Sequence, residues 1–276
     1  MDGLADLHLH TKHSDGAYSP YDLIKKAKAA GLSVISITDH DSVGALDQAI
    51  PIGKEFDIEV VPGMELSATV GEYEIHILGY FIDYVNKALV EVLTIFRERR
   101  LKRAERIVDK LNRMNIPLKL ESVLAHATGD SIGRPHIASA LVTGGHVDSY
   151  YNAFKKYLAD GRPAFEKKAE FSLEDTVRLI AQAGGLSFLA HPGKGMTDTL
   201  LLRLIKVGLD GIEVTHPSHT PDLVKYYRGI TDEYYLLESG GSDFHGGLKD
   251  DEHLLGKVCI PVSTVDLMKR RLRGAA

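Results

Sequence analysis

Apolar and polar positions along this chain repeat with two periods, and each change of period marks an element. Residues 4–10, Leu-Ala-Asp-Leu-His-Leu-His, alternate from Ala5 onward. Successive side chains of a strand point to opposite faces, so Asp6, His8 and His10 share one face while Leu7 and Leu9 take the other. A loop containing Ser14-Asp15-Gly16 follows. Ser19-Pro20 then starts a helix, with serine as the cap and proline at the first helical position. Leu23, Ile24 and Ala27 form its apolar face and Gly31 stops it. Residues 33–38 are a β-branched strand that ends in Asp39-His40-Asp41. A helix over 44–56, kinked at Pro51, leads to a strand over 59–61 and then to Pro62-Gly63-Met64-Glu65. A fourth strand, 73–81, carries His76. Strand, helix, strand, with polar residues at the strand ends, predicts a parallel α/β barrel or sheet. In such folds the chemistry gathers at the carboxyl ends of the strands.

The rhythm breaks at 86–114, a long helical stretch with a basic cluster of Arg97, Arg99, Arg100, Lys102, Arg103 and Arg106. Shorter helical pieces are expected over 120–127, 134–143 and 149–159, and no strand is expected between 85 and 162. The segment reads as an all-helical insertion. Strand–helix alternation resumes with a helix capped by Ser172 and ending at Gly184-Gly185. It continues through strands over 186–190, 211–214, 236–239 and 257–261. The expected organisation is a first barrel part over 1–85, a helical insertion over 86–165 acting as a substrate cap, and a second barrel part over 166–276.

Composition narrows the function classes. With 276 residues, 44% of them hydrophobic, the chain can build one large domain or a domain with an insert. A net charge of −5 argues against a general polyanion binder, so any contact with nucleic acid has to be local. Cys259 is the single cysteine, which suits a reducing cytoplasm. No stretch approaches the ~20 apolar residues of a spanning helix, and the N-terminal stretch lacks the basic flank and apolar run of a signal peptide. A cytoplasmic protein without membrane contact is expected.

Six strands or strand ends present His, Asp or Glu: His8 with His10, His40, Glu65, His76, His191, and Asp243 with His245. A lone strand histidine is usually a half-buried polar residue, and one His-x-His arises readily by chance. Helix periodicity and surface exposure do not produce the joint pattern. Imidazole and carboxylate without thiolate suit zinc, manganese or iron. Glu65 can bridge two ions, the arrangement used to polarise phosphoryl groups. The ligands are too many for one ion, so two or three divalent ions are expected. His13, His126, His146, His216, His219 and His253 read as loop or helix-surface residues. Of these, His216 and His219 follow a strand and can face substrate. Asp41 reads as a helix cap. Arg100 and Arg103 lie on one side of the insert helix, and Arg134 and His136 open another helix where backbone N–H groups favour anions. These four are the candidate substrate contacts.

The motifs Asp6-Leu7-His8-Leu9-His10 with Ser14-Asp15-Gly16, Thr38-Asp39-His40-Asp41, Gly63-Met64-Glu65, His76-Ile77-Leu78-Gly79, Ala190-His191-Pro192-Gly193 and Gly241-Ser242-Asp243-Phe244-His245 resemble, in order, those of the PHP (polymerase and histidinol phosphatase) metal-dependent phosphoesterases. The resemblance implies a distorted (β/α)7 barrel with a trinuclear centre. It places one ion on His8, His10, Glu65 and Asp243, a second on Glu65, His76 and His191, and a third on Asp15, His40 and His245. It marks His8, His10, Asp15, His40, Glu65, His191, Asp243 and His245 as catalytic. The insert's Arg-x-x-Arg-Leu-x-Arg-Ala (97–104) and Arg134-Pro135-His136 resemble the branch that hydrolyses nucleoside 3′,5′-bisphosphates and trims 5′-phosphorylated oligonucleotides.

The expected activity is therefore hydrolysis of a nucleoside 3′,5′-bisphosphate to the 5′-monophosphate. The rivals are a 5′–3′ exonuclease on short RNA or DNA, a small-molecule phosphatase of the histidinol-phosphate type, and a catalytically silent metal-binding module.

Overall fold

The computed structural model describes residues 3–71, 73–247 and 250–274. Strands β1 (Leu4–Leu9), β2 (Leu32–Ile37) and β3 (Glu59–Val70) pair in parallel. Helices α1 (Pro20–Ala29) and α2 (Leu46–Glu55) connect them. Ser19 caps α1 by accepting the Asp22 N–H, as its position before proline predicts. Strand β4 (Tyr73–Tyr80) returns antiparallel along Gly63–Val70 of β3, with Glu65 opposite Leu78 and Ser67 opposite His76. This departs from an all-parallel reading: β4 carries its ligand near its start, because an antiparallel strand enters the barrel from the end where its parallel neighbours leave.

The insertion follows. Helix α3 (Lys87–Arg113) is capped by Asn86 and runs 27 residues. Helices α4 (Leu120–Leu124), α5 (Arg134–Thr143) and α6 (Tyr150–Ala153) come next, and α6 widens into a π-turn at Phe154–Leu158. Helix α7 (Leu173–Gln182) restores the alternation, with Ser172 as its cap. Then come β5 (Leu186–Leu189), α8 (Asp198–Lys206), β6 (Gly211–Thr215), α9 (Pro221–Glu233), β7 (Leu237–Gly240), β8 (Ile260–Pro261) and α10 (Val262–Gly274).

The eight strands form one sheet in the order β7-β6-β5-β4-β3-β2-β1-β8. The sheet curls until the chain after β7 reaches β1. There Phe244 bridges Leu9, and the His10 N–H donates to the Phe244 carbonyl at 3.0 Å. The result is a nearly closed, distorted α/β barrel.

Three apolar clusters hold it. The largest joins outward strand residues such as Leu9, Ile35 and Met64 to α1, α2, α7, α8 and α9. A second combines Leu78, Tyr80 and Phe188 with Val265 and Met268 of α10. The third belongs to the insertion and includes Ile107, Leu111, Ile137 and Leu141. Helix α3 serves two of them: its first turns bury Leu89, Leu93 and Phe96 in the barrel cluster, and its later turns bury Ile107 and Leu111 in the insert's own core. The change of core therefore falls within α3 and not at its start.

Where β7 runs on to close the barrel, the backbone passes tightly over β1. A Cβ on Gly241 would stand 2.5 Å from the His8 nitrogen and 2.6 Å from Asp6 Oδ1. Neither neighbour is a flexible chain end, so Gly241→Ala is expected to cost about 1–3 kcal/mol of folding free energy by overpacking. Urea denaturation of the purified variant measures it.

Candidate metal centre

The inward face of β1 carries Asp6, His8 and His10, all buried. Every other β3 residue, Val61, Gly63 and Glu65, shares one face by the same alternation, and Glu65 ends up wholly buried beside them. Its Oε1 lies 2.8 Å from His76 Nδ1 and 3.0 Å from His191 Nε2. Its Oε2 lies 3.2 Å from His8 Nε2, 3.3 Å from His10 Nε2 and 3.0 Å from His40 Nδ1. Asp243 Oδ1 lies 3.3 and 3.2 Å from the Nε2 atoms of His8 and His10. His245 stacks on His10 at 4.1 Å between ring centroids, with its Nε2 3.3 Å from Asp15 Oδ1.

All nine residues expected as ligands thus converge. The ligand atoms fall into four overlapping groups: His8, His10 and Asp243; His8, Glu65 and His191; His40, Glu65 and His76; and His10, Asp15, His40 and His245. The groups do not separate into three clean sets, because His8, His10 and His40, like Glu65, each take part in two of them.

The donor set fits divalent ions. His10 Nε2, His40 Nδ1 and His76 Nδ1 are buried with no hydrogen-bond partner among the described residues, although carboxylate oxygens stand close by. Two atoms that each bond one ion at about 2.0–2.2 Å lie about 3 Å apart, the spacing found here. Lone pairs aimed at a common point, and not at each other's protons, account for the missing hydrogen bonds. The electrostatics agree. Burial opposes ionisation of Glu65, yet His40, His76 and His8 hold its carboxyl well below the ordinary range. Burial likewise opposes protonation of His10, but Asp243 and Glu65 push its pKa up to about 9. So much negative charge facing the imidazoles is an invitation to cations.

Behind these residues stands a set of buried carboxylates. Glu213, from the middle of β6, accepts His8 Nδ1 at 2.8 Å on one oxygen and the His191 N–H at 2.6 Å on the other. It thereby fixes the His8 tautomer and a backbone turn in which His191 has φ 26°. Asp39 accepts the Thr11 N–H and the hydroxyls of Thr11 and Ser14, which shapes the loop bearing Asp15. Asp6 accepts the Ser242 N–H and hydroxyl; burial raises its pKa to about 7 against those donations. Asp251 accepts the N–H groups of His245 and Gly247. A charged residue inside the apolar run Gly-Ile-Glu-Val-Thr was the sequence signal for Glu213.

A cleft of about 650 Å³ runs from Asp15, His40 and His76 to Arg103, Arg134, Tyr150, Phe154 and Lys168 of the insertion and its return. Here two of the expected substrate contacts are engaged within the protein itself. Arg100 gives Nε and Nη2 to Asp41 Oδ2 at 2.8 and 2.5 Å and Nη1 to the Ile132 carbonyl, so its charge is already matched. His136 accepts the Gly133 N–H on Nδ1 and reaches the Ser14 carbonyl through Nε2, leaving no ring nitrogen for a ligand. Both are struts between insertion and barrel, since a cap docked on a barrel must satisfy the polar groups it covers. Asp41, expected as a helix cap, instead accepts Arg100 and the Ser67 N–H.

Arg100, Arg103 and Arg134 all line the cleft. Arg103 is buried, and its Nη2 has no hydrogen-bond partner among the described residues. Burial, with Arg134 and Arg100 nearby, lowers its pKa to about 10. Arg134 Nη1 pairs with Asp160 at 2.6 Å, and its guanidinium lies over Phe165. Lys168 contacts Glu74 at 2.6 Å and Ser67 Oγ at 2.9 Å; its stretch, Phe-Glu-Lys-Lys-Ala, carried no periodic signal. His216 and His219, read from sequence as loop or helix-surface residues able to face substrate, lie in layers around the centre: His216 against its ligands and His219 behind His216. The ring of His216 lies 5.3 Å from that of His191 and 5.6 Å from that of His219.

Barrel, converging ligands and basic cap define a metal-dependent phosphoesterase. The chain belongs to the PHP domain family, whose model matches residues 6–182. It is 35% identical over 268 residues to a 3′,5′-nucleoside bisphosphate phosphatase of Chromobacterium violaceum, covering 93% of this chain and 94% of that one. It is 35% identical over 245 residues to a 5′-3′ exoribonuclease of Haemophilus influenzae, covering 87% and 89%. A solved Bifidobacterium adolescentis structure, assigned to the metal-dependent phosphoesterases, superposes with a TM-score of 0.90 at 30% identity over 97% and 96% of the two chains. Among the described residues no helix is long and apolar enough to cross a membrane.

Glu213 ties two ligand-bearing segments together from beneath. Removing one member of a buried charged pair typically costs about 3–5 kcal/mol. Glu213→Ala is expected to lose stability in that range, read from chemical denaturation of the metal-free protein.

Proposed function

We propose that this phosphoesterase binds three divalent ions, zinc, manganese or iron, and removes the 3′-phosphate of a nucleoside 3′,5′-bisphosphate to leave the 5′-monophosphate. His8, His10, Glu65 and Asp243 would hold one ion, Glu65, His76 and His191 a second, and Asp15, His40 and His245 a third. The observation that carries the substrate is the cleft joining these residues to a second, separate anion site. Arg103 Nη2 and the buried Ser131 hydroxyl stand in it without hydrogen-bond partners among the described residues. Groups so buried are normally satisfied, and a phosphate supplies the acceptors they want. The relative from Chromobacterium violaceum bears the matching activity in its name.

Divalent ions bound at the centre would supply Lewis-acid polarisation of the phosphoryl oxygens and a nucleophile at neutral pH. The chain's part is placement. The two oxygens of Glu65 face different imidazole sets, so this one side chain fixes the distance between the halves of the centre. Arg103, Arg134 and Lys168 hold the 5′-phosphate at the far end of the cleft, which presents the 3′-phosphate to the centre. Tyr150 and Phe154, in ring contact at 5.2 Å, give the cleft an apolar wall for the nucleoside. A nucleotide substrate and a lone thiol suit a reducing cytoplasm.

A second reading is 5′–3′ exonuclease action on short 5′-phosphorylated oligonucleotides. Its support is the Haemophilus relative and a separate cleft beyond His76 and His191, lined by Tyr73, Ile75, Pro192, Met196 and Leu200, open to receive the rest of a chain. Histidinol phosphate lacks a second phosphate for Arg103 and ranks below both.

The first test is phosphate release from adenosine 3′,5′-bisphosphate by manganese-loaded protein, with the nucleotide product identified. Adenosine 5′-monophosphate is the expected product; release only from aryl phosphates would discard the nucleotide assignment. His8→Ala, His10→Ala and Asp243→Ala are expected to abolish turnover.

Losing one charge-assisted contact is worth about 1.5–3 kcal/mol, or roughly 10- to 150-fold in binding. Arg103→Ala is therefore expected to raise KM for the bisphosphate by that factor and to leave KM for p-nitrophenyl phosphate within about threefold. Equal effects on both substrates would place the second phosphate elsewhere. Arg134→Ala is expected to shift KM in the same direction.

A further inference from the structure

Strand β6 ends at Thr215, and the next four residues, His216-Pro217-Ser218-His219, form a turn over the metal centre. The turn dictates the tautomer of each histidine. His216 Nδ1 lies 3.1 Å from the Ser218 backbone nitrogen and 2.8 Å from its hydroxyl. A backbone N–H can only donate, so Nδ1 holds a lone pair and the neutral ring carries its proton on Nε2. His219 has the opposite tautomer. Its Nε2 accepts the Gly193 N–H at 3.1 Å and its Nδ1 donates to the Val214 carbonyl at 2.9 Å. His219 is thereby spent on pinning the turn that bears His191, and His216 is the one with a proton aimed inward.

His216 Nε2 is buried and has no hydrogen-bond partner among the described residues. The carboxylate in front of it is Asp243, whose Oδ2 lies 3.6 Å away while Oδ1 faces His8 and His10. A tenth metal ligand would need its lone pair on Nε2, the nitrogen that the Ser218 N–H makes the protonated one. His216 also falls in none of the four groups of converging ligand atoms.

We infer that His216 is a positioning residue, whose Nε2–H faces Asp243 Oδ2 at 3.6 Å, an electrostatic contact longer than a hydrogen bond, and so keeps Oδ1 turned toward His8 and His10. The inference rests on the assignment of Asp243 as a metal ligand. Partners behind ligating side chains typically change metal affinity by about 10- to 100-fold when lost. The side-chain amide of glutamine places an N–H where the ring Nε2–H stands; leucine fills the space without a donor.

The test is zinc titration of the chelator-stripped full-length protein, with bound zinc counted by elemental analysis. His216→Leu is expected to weaken one of the bound ions by about 10- to 100-fold, and His216→Gln to recover most of the loss. Nitrogen-15 shifts of the His216 ring in wild-type, zinc-loaded protein give an answer that needs no variant. A protonated Nε2 with an unprotonated Nδ1 supports the assignment. Zinc-bound Nε2, or wild-type zinc affinity in His216→Leu, overturns it. Wild-type affinity in Asp243→Asn would instead remove the ligand assignment beneath it, and so separates the two failures.

Discussion

A single fully buried carboxylate organises this molecule. Five imidazole nitrogens lie between 2.8 and 3.3 Å from the oxygens of Glu65. Bringing a carboxylate out of water costs several kcal/mol unless positive charge comes with it. The imidazoles supply part of that charge when protonated, and divalent ions supply more when they are not. The strands that deliver His8, His10, His76 and Glu65 are apolar on their outer faces. The barrel can therefore close around its charged centre only because helices cover the other side of every strand.

The centre has a second layer built on one device repeated. Glu213, Asp39, Asp6 and Asp251 are each buried, and each accepts a main-chain N–H from a ligand-bearing segment or from the residue beside one. A carboxylate with two acceptor oxygens can grip a loop at two points, which a neutral acceptor of one lone oxygen does less well. The left-handed backbone of His191 and Asp243 persists because such grips over-determine it. His216 extends the device from carboxylates behind imidazoles to an imidazole behind a carboxylate.

What the sequence made legible follows the range of the interactions involved. His-x-His, Asp-His and Asp-Phe-His are local patterns at strand ends, so eight of the nine converging residues stood out in short windows, while Asp15 came only with the family resemblance. Helix starts at Ser19, Asn86 and Ser172 were legible because a cap bonds three residues ahead. The roles of Arg100 and His136 were not, since their partners Asp41 and Ser14 lie 59 and 122 residues away. Basic side chains on a helix look the same whether they await a phosphate or brace a loop. Antiparallel β4 was equally hidden, because its apolar alternation is the same in either direction. Glu213 was missed, although a charge within an apolar strand is a signal for it, whereas Lys168 lies in an aperiodic stretch whose meaning comes from Glu74 and Ser67.

Those unreadable struts tie the insertion to the loops of the candidate centre. Arg100 holds Asp41, next to His40; His136 holds the Ser14 carbonyl, next to Asp15; and the N–H groups of Asp130 and Ser131 both reach the His13 carbonyl. Two of the loops that carry barrel-side ligands are thus hydrogen-bonded to the same insertion that presents Arg103 and Arg134. Helix α3 makes that connection stiff, because it is buried in the barrel cluster at one end and in the insert's own core at the other. In the proposed binding mode, a phosphate held between Arg103 and Arg134 would pull on elements that also shape the positions of Asp15 and His40. Coupling of this kind needs no hinge: it follows from closely packed cores that transmit displacement and hydrogen bonds that fix its direction.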